Sequence, residues 1–169
     1  GIDTNGYAIY SRIAGPSEPP TYRWDTSNSD RWSASIRVFR NVNTSNIWDV
    51  APSAVNSNMS GSTATAPSIT ISTPGAMGIV FVFSDAASLT QNFSNPTNGY
   101  GNEVETGNQP QATYTRTWAS AGTTGSVSVS LEDNDWMAYQ MALRPAKLTA
   151  PTPTPTPVVT PTPTPTPVV

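Results

Sequence analysis

Carboxylates are the main side chains here that could perform acid–base chemistry, because the sequence has no Cys and no His. Their absence excludes Ser-His-Asp and Cys-His catalysis, imidazole general bases, thiolate metal sites and disulfides. Two groups could supply the carboxylate pair of a glycosidase: Glu103 with Glu105, and Glu132 with Asp133 and Asp135. The first group lies among Gly and Asn residues and the second in a predicted turn, where such side chains satisfy the backbone. We therefore predict no catalytic residues.

Oxygen ligands limit any metal site to calcium, which prefers carboxylates and carbonyls. Asp133 and Asp135 have a suitable spacing, but the Gly and the distal Glu of a calcium-binding loop are missing. A second oxygen-rich turn covers residues 25–28 with Asp30. Ordinary turn solvation accounts for both stretches, so we predict no metal and no cofactor.

Aromatic side chains offer a different chemistry, because flat rings stack on sugar rings while Asn, Asp or Arg bond the sugar hydroxyls. Trp32, Trp48 and Tyr100 fall in or near predicted loops and are the candidates for sugar stacking. Packing as lids over the ends of the fold is the alternative for Trp32 and Trp48. Trp24 falls on a predicted strand face, where we expect it to pack.

The segments that must position these side chains alternate in hydrophobicity with period two. Gly, Pro, Asn and Ser residues separate them, and no amphipathic helix of useful length is visible. This pattern predicts an all-β fold, an antiparallel β-sandwich of jelly-roll or Ig-like type with about eight strands. Residues 41–67 and 85–111 are predicted loops. The predicted strands are 7–13, 21–25, 34–40, 68–72, 79–83, 112–118, 126–131 and 136–143.

An Asn-Gly turn signal at residues 3–6 predicts a hairpin, because this pair supplies the positive φ of a type I′ turn. Only two residues precede it, so the first strand is either cut away or supplied in trans by another chain. If the strand is absent, the sheet keeps an open edge, which is either covered by other means or invites strand addition and self-assembly into a homo-oligomer or filament. The residues of this predicted assembly edge are Tyr7, Ile9, Ser11 and Ile13.

A Pro-Thr repeat defines the second predicted region, residues 149–169, after a sandwich domain at residues 1–148. Residues 151–159 read PTPTPTPVV and residues 161–169 repeat them. Alternating Pro excludes helix and sheet, so we expect polyproline II with a reach of about 60 Å. The repeat is either a bare spacer or an O-glycosylated stalk. Predicted glycosylation sites are Thr152, Thr154, Thr156, Thr160, Thr162, Thr164 and Thr166, with Asn43, Asn58 and Asn92 in N-x-Ser/Thr sequons.

Several phrases of the sequence resemble an uncharacterised β-sandwich module of bacterial and phage surface and structural proteins. They are YSRIAGPSEP from Tyr10, YRW from Tyr22, IRVFRNV from Ile36, APSIT from Ala66, AGTTG from Ala121 and WMAYQMALRP from Trp136. A Gly-Trp-containing strand precedes residue 7 in that pattern and is missing here. The Pro-Thr repeat resembles the linkers of secreted multi-module proteins. The resemblance implies fold and location, and it implies no catalytic residue.

Charge narrows the expected partners. The net charge is −3 and the cationic side chains are scattered, which argues against nucleic acid or an anionic membrane. The longest apolar run, residues 78–83, falls far short of the ~20 residues of a membrane span. We predict a non-enzymatic extracellular or cell-surface module, structural or adhesive, such as a filament subunit. The alternative is a carbohydrate-binding module linked to a secreted enzyme, with a polysaccharide as partner.

Overall fold

Ten strands make up the regular structure of the part of the chain that the computed structural model describes, residues 8–25, 34–58, 60–85, 92–106 and 110–147. For Glu105 and Thr106 the description covers the backbone alone. No helix occurs in these residues, so none of them forms an apolar helix that could cross a membrane. The strands are β1 (Trp48–Val50), β2 (Asn56–Asn58), β3 (Thr63–Ala66), β4 (Thr70–Ile71), β5 (Ala76–Ser84), β6 (Gly101–Thr106), β7 (Gln111–Trp118), β8 (Gly122–Thr123), β9 (Val127–Ser130) and β10 (Trp136–Leu143).

The strands form two layers, and every ladder is antiparallel. One layer is a six-stranded sheet in the order β1-β10-β5-β7-β6, in which β2 also pairs with β10. The second layer contains the β3–β9 and β4–β8 pairs, and a bridge from Ser94 to Ser130 extends it. This arrangement confirms the predicted all-β antiparallel sandwich.

The inner core lies between the layers. Alternate residues of β5, such as Val80 and Val82, point inward, as does Ala138 of β10. They pack against small and β-branched side chains of the second layer, which allow the two sheets to approach closely. These are Ala64 and Ala66 of β3 and Val127 and Val129 of β9.

The outer face of the six-stranded sheet is also covered. Ile79 of β5 and Tyr139 of β10 point to this side and are buried. Segments that precede β1 in the chain lie over them and contribute Ile9 and Phe39, and Trp48 of β1 packs on the same side. Because both faces are covered, β5 is a nearly continuous apolar run rather than an alternating one.

Gln140 of β10 is a fully buried polar side chain that connects the layers. Its Nε2 donates to the carbonyl of Pro67 at 2.7 Å and to that of Gly125 at 2.9 Å. Its Oε1 accepts from the Tyr100 hydroxyl at 3.0 Å. The amide is therefore satisfied at both ends, as a polar group in an apolar core must be.

The β6 edge of the large sheet is protected against pairing with another chain. Between Gly101 and Val104 the register advances three residues on β6 and two on β7, which defines a β-bulge. Arg37 donates to the carbonyl of Asn102 at 2.6 Å and to that of Thr113 at 2.8 Å across this bulge. A bulge and a nearby cation are two of the devices that prevent edge-to-edge association.

Three predicted strands are wrong. The described part of 7–13, together with 21–25 and 34–40, joins no ladder. Residues 34–40 alternate in burial because one side, including Phe39, packs onto the outer face; of residues 8–13 only Ile9 does so, and residues 21–25 are all exposed. Ile9, Ser11 and Ile13 therefore do not lie at a sheet edge, and the predicted assembly edge is wrong for them. Tyr7 lies outside the described residues.

The other predicted strands match observed ones. Residues 79–83, 112–118, 126–131 and 136–143 correspond to β5, β7, β9 and β10, and 68–72 shortens to β4. The two predicted loops, in contrast, contain strands β1, β2, β3 and β6. These are polar or short, so their sequences give little hydrophobic signal.

We expect Gln140→Leu to lower the free energy of unfolding by about 3 kcal/mol or more. The substitution keeps most of the volume but leaves the Tyr100 hydroxyl and the Pro67 carbonyl without the Gln140 amide, and each such loss costs about 1–3 kcal/mol. Urea denaturation measures the change. Thr63→Val, on an exposed position of β3, is the control and should stay within about 0.5 kcal/mol of the unmodified protein. An equally small change in Gln140→Leu would contradict the role of the amide.

Candidate binding surface

The N-terminal arm, residues 8–25, doubles back on itself. The Tyr10 and Trp24 rings are in contact, with centroids 5.7 Å apart and planes tilted by 46°. Arg12 comes two residues after Tyr10, and Tyr22 comes two residues before Trp24. The Arg12 guanidinium lies over the Tyr22 ring, 6.0 Å from its centroid. This spacing is that of opposite positions in a hairpin. It therefore brings the three aromatic rings to one side of the arm.

These three rings, Tyr10, Tyr22 and Trp24, form what we call the aromatic surface. Their exposed fractions are 74%, 44% and 40%. The neighbouring Ile9 packs against the outer face of the sheet, and alternation along an extended chain then turns Tyr10 toward solvent. Four of the seven large apolar side chains that are exposed in the described residues belong to the arm: Tyr10, Ile13, Tyr22 and Trp24. The other three are Ile36, Val38 and Val104.

Glu18 fixes the turn of the arm and one ring of the aromatic surface. One carboxylate oxygen accepts from the backbone N–H of Gly15 and the other accepts from the Tyr22 hydroxyl. Arg12 lies 3.6 Å away. The hydrogen bond from Tyr22, that from Gly15 and the charge of Arg12 together hold the pKa of Glu18 below its usual range.

Charges around the aromatic surface are paired. Arg12 lies beside Glu18, and Arg23 donates to Asp25 at 2.8 Å. These four are the charged side chains of residues 8–25, so the net charge of the arm is zero. All four side chains are at least partly accessible, and the Arg23–Asp25 pair is largely exposed. The rings are thus bordered by hydrogen-bonding groups without excess charge.

Two of the three aromatic residues proposed for sugar stacking from the sequence lie in the described part of the chain. Tyr100 is only 5% exposed, and its hydroxyl bonds to Gln140, so its prediction is wrong. Trp48 lies on β1 rather than in a loop, and it is partly buried on the outer face of the sheet rather than over an end of the fold. Trp32 lies outside the described residues. The expectation that Trp24 packs on a strand face is also wrong, because Trp24 belongs to the aromatic surface.

The carboxylates proposed as acid–base pairs lie in β6 and in the turn before β10. Glu103 accepts a hydrogen bond from the Tyr114 hydroxyl, and the side chain of Glu105 is outside the description. Asp135 lies in a turn where its backbone N–H donates to Asn134. Among the residues with described coordinates, no three acidic side chains are grouped closely enough to hold a metal ion.

Asp49 is a buried carboxylate that sequence reasoning missed. It accepts from the backbone N–H of Ser72 at 2.7 Å and of Thr73 at 3.2 Å, and Arg144 lies 3.5 Å away. Burial alone would raise the pKa of Asp49, but the hydrogen bonds from Thr73 and Ser72 and the charge of Arg144 produce a net decrease. These contacts join β1 to the turn before β5, so the role of Asp49 is structural.

The predicted N-glycosylation sites differ in their surroundings. Asn43 is half-buried, and its Oδ1 accepts from the backbone N–H groups of Ser45 and Asn46 in a turn. Asn58, on β2, and Asn92 are exposed. The predicted O-glycosylation sites all lie outside the described residues; they are Thr152, Thr154, Thr156, Thr160, Thr162, Thr164 and Thr166.

The aromatic surface left a signal in the sequence. Tyr10 and Arg12, and likewise Tyr22 and Trp24, are two residues apart on either side of a Gly-Pro-Ser-Glu-Pro-Pro stretch. That stretch contains strong turn formers, so the two pairs should meet across a turn. Reading both segments as sheet strands concealed this, because strand rings are expected to pack.

The chain was compared with protein families, curated proteins and solved structures. No family model matches it, no curated protein matches it, and no solved structure matches it.

We expect the amide proton of Gly15 to report the titration of Glu18 in an NMR pH series. Because the pKa of Glu18 is lowered, its contacts are present above the usual titration range of Glu and are lost as the pH falls through the lowered pKa. The midpoint should lie below that of Glu in an unstructured peptide. Glu18→Gln is the control and should abolish the titration. A midpoint at or above the peptide value would contradict the arrangement.

Proposed function

We propose that this chain is an extracellular, non-enzymatic adhesive module that binds glycans through the aromatic surface. The observation that carries this proposal is the exposure of Tyr10, Tyr22 and Trp24 on one side of a short arm. Large aromatic side chains bury 150–250 Å² each when they are covered, so their exposure sacrifices stability. Grouped exposure of this kind marks interaction sites.

The physical setting of the rings also supports glycan binding. Aromatic faces pack against the C–H groups of a sugar ring, and nearby polar side chains bond its hydroxyls. Arg12, over the Tyr22 ring, and Glu18, which accepts from the Tyr22 hydroxyl, supply such groups. The Tyr10 side of the arm contacts the sandwich through Ile9, which packs on the outer face of the sheet.

The remaining parts of the proposal rest on the sequence. A chain without Cys and His, in which Glu103 is bonded to the Tyr114 hydroxyl, favours binding over catalysis. Low charge and abundant Ser, Thr and Asn are typical of secreted and surface β-proteins. The Pro-Thr repeat would then serve as a stalk, O-glycosylated, between this module and its neighbour or the cell surface.

We expect Trp24→Ala and Tyr10→Ala each to weaken glycan binding at least about tenfold, because central aromatic anchors contribute most to binding free energy. Retention on a panel of immobilised neutral and acidic polysaccharides measures the effect. Val38→Ala removes an exposed apolar side chain outside the aromatic surface and is the matched control, with binding unchanged. Lack of retention of the unmodified protein on every polysaccharide would refute the proposal.

Self-assembly into a structural filament is a second candidate, favoured by one observation. Ile36 and Val38 are exposed on the segment that carries Arg37 and Phe39 on its inner side. Two apolar side chains on one face could pack against a second copy. The bulge on β6 argues against assembly through that strand edge, so the contact would be made by side chains.

Sedimentation velocity tests this candidate. A homo-oligomer that uses this face should dissociate in Val38→Asp, because the substitution places a charge in an apolar interface. Ser11→Asp, an exposed position on the arm, is the control with the same new side chain. A protein that remains monomeric at millimolar concentration would exclude assembly through this face.

A further inference from the structure

We infer that the ligand of the aromatic surface is a neutral polysaccharide, bound along its chain rather than at its end. This inference rests on the proposed function and narrows it to one class of glycan. Three features support it: the charge balance of the arm, the hydrogen-bonding groups beside the Tyr22 ring, and the geometry of the Tyr10–Trp24 ring pair.

Charge balance argues for a neutral ligand. The two cations of the arm, Arg12 and Arg23, each have an anion beside them, Glu18 and Asp25. An acidic polysaccharide carries repeated negative charge and would require a surface with excess positive charge. At the Tyr22 ring its carboxylates would meet Glu18 as well as the Arg12 guanidinium, so the electrostatic gain would largely cancel.

The bordering groups suit hydroxyls, which both donate and accept hydrogen bonds. Each guanidinium has five N–H donors, and its ion pair occupies only part of them. The Glu18 carboxylate accepts from Gly15 and Tyr22 and keeps further acceptor positions. Arg12 and Glu18 thus offer donors and acceptors beside the Tyr22 ring. A sugar with several hydroxyls can satisfy both kinds of group, whereas a purely apolar ligand would leave them unpaired.

Ring geometry favours binding along a chain. With centroids 5.7 Å apart, the Tyr10 and Trp24 rings touch each other and leave no room for a sugar between them. A ligand must lie across their outer faces. The result is an open surface rather than an enclosed pocket, and an open surface accepts internal units of a long chain without needing its end.

Affinity electrophoresis in gels that contain one polysaccharide tests the inference. A galactomannan and a mixed-linkage β-glucan are the neutral probes and alginate is the acidic probe, each at low and at high salt. We expect retardation by at least one neutral polymer that changes less than about twofold with salt, because no ionic contact is screened. Trp24→Ala and Tyr10→Ala should reduce this retardation at least about tenfold, and Val38→Ala should preserve it.

A charge-altered variant sharpens the test. Asp25→Asn removes one anion and leaves a net positive arm, so it should gain salt-sensitive binding to alginate while it keeps its binding to the neutral polymer. Thermal melting verifies that each variant is folded, and Trp24→Tyr, which keeps an aromatic ring, should retain partial binding if Trp24→Ala does not fold.

Three results would overturn the inference, and they differ in what they mean for the proposed function. Retardation by alginate alone, lost at high salt and in Trp24→Ala, would refute the neutral class but leave glycan binding intact. Binding to short oligosaccharides of the neutral polymers, with no retardation by the intact polymers, would refute binding along the chain. No retardation by any polymer would refute both, and sedimentation velocity would then show whether a second copy covers the surface.

Discussion

The amide of Gln140 bonds to groups from three separate parts of the chain inside an otherwise apolar core: the Pro67 and Gly125 carbonyls and the Tyr100 hydroxyl. The Tyr100 hydroxyl fits here because residue 78 is Gly: a Cβ at Gly78 would lie 2.5 Å from the hydroxyl oxygen. The two layers therefore have a fixed relative position, since sliding either one would strand buried polar atoms. With the two layers held in this position, small residues such as Ala66 pack in the core between them.

Coverage of the outer face connects the sandwich to the aromatic surface. Ile9 and Phe39 are inward anchors on the large sheet, and the residues next to them in sequence, Tyr10 and Val38, are outward. Burial of one side of each segment thus determines exposure of the other. Tyr10 is held next to the Ile9 anchor, although no ladder hydrogen bonds join the arm to the sheet in the described residues. Apolar anchoring takes the place of strand pairing.

Sequence reasoning succeeded where hydrophobicity and strand formation coincide. The apolar β5 and the long β10 are recognisable from the sequence because most residues on both faces of each strand are buried. It failed for polar β2, whose side chains are all exposed and whose pairing comes only from β10. It also failed for Tyr10 and Trp24, since period-two alternation is the same whether a segment joins a sheet or lies flat on one. Only tertiary contacts distinguish these cases.

Strand β10 pairs on both sides, with β5 along its whole length and with β1 and β2 on the other side. The chain then continues from Leu143 through Pro145 to Lys147. Tension applied beyond Lys147 would pull β10 along its own axis and load these ladders together in shear. Bonds loaded together resist force better than bonds opened one at a time. A module tethered at this end would therefore receive the load on its most extensively paired strand.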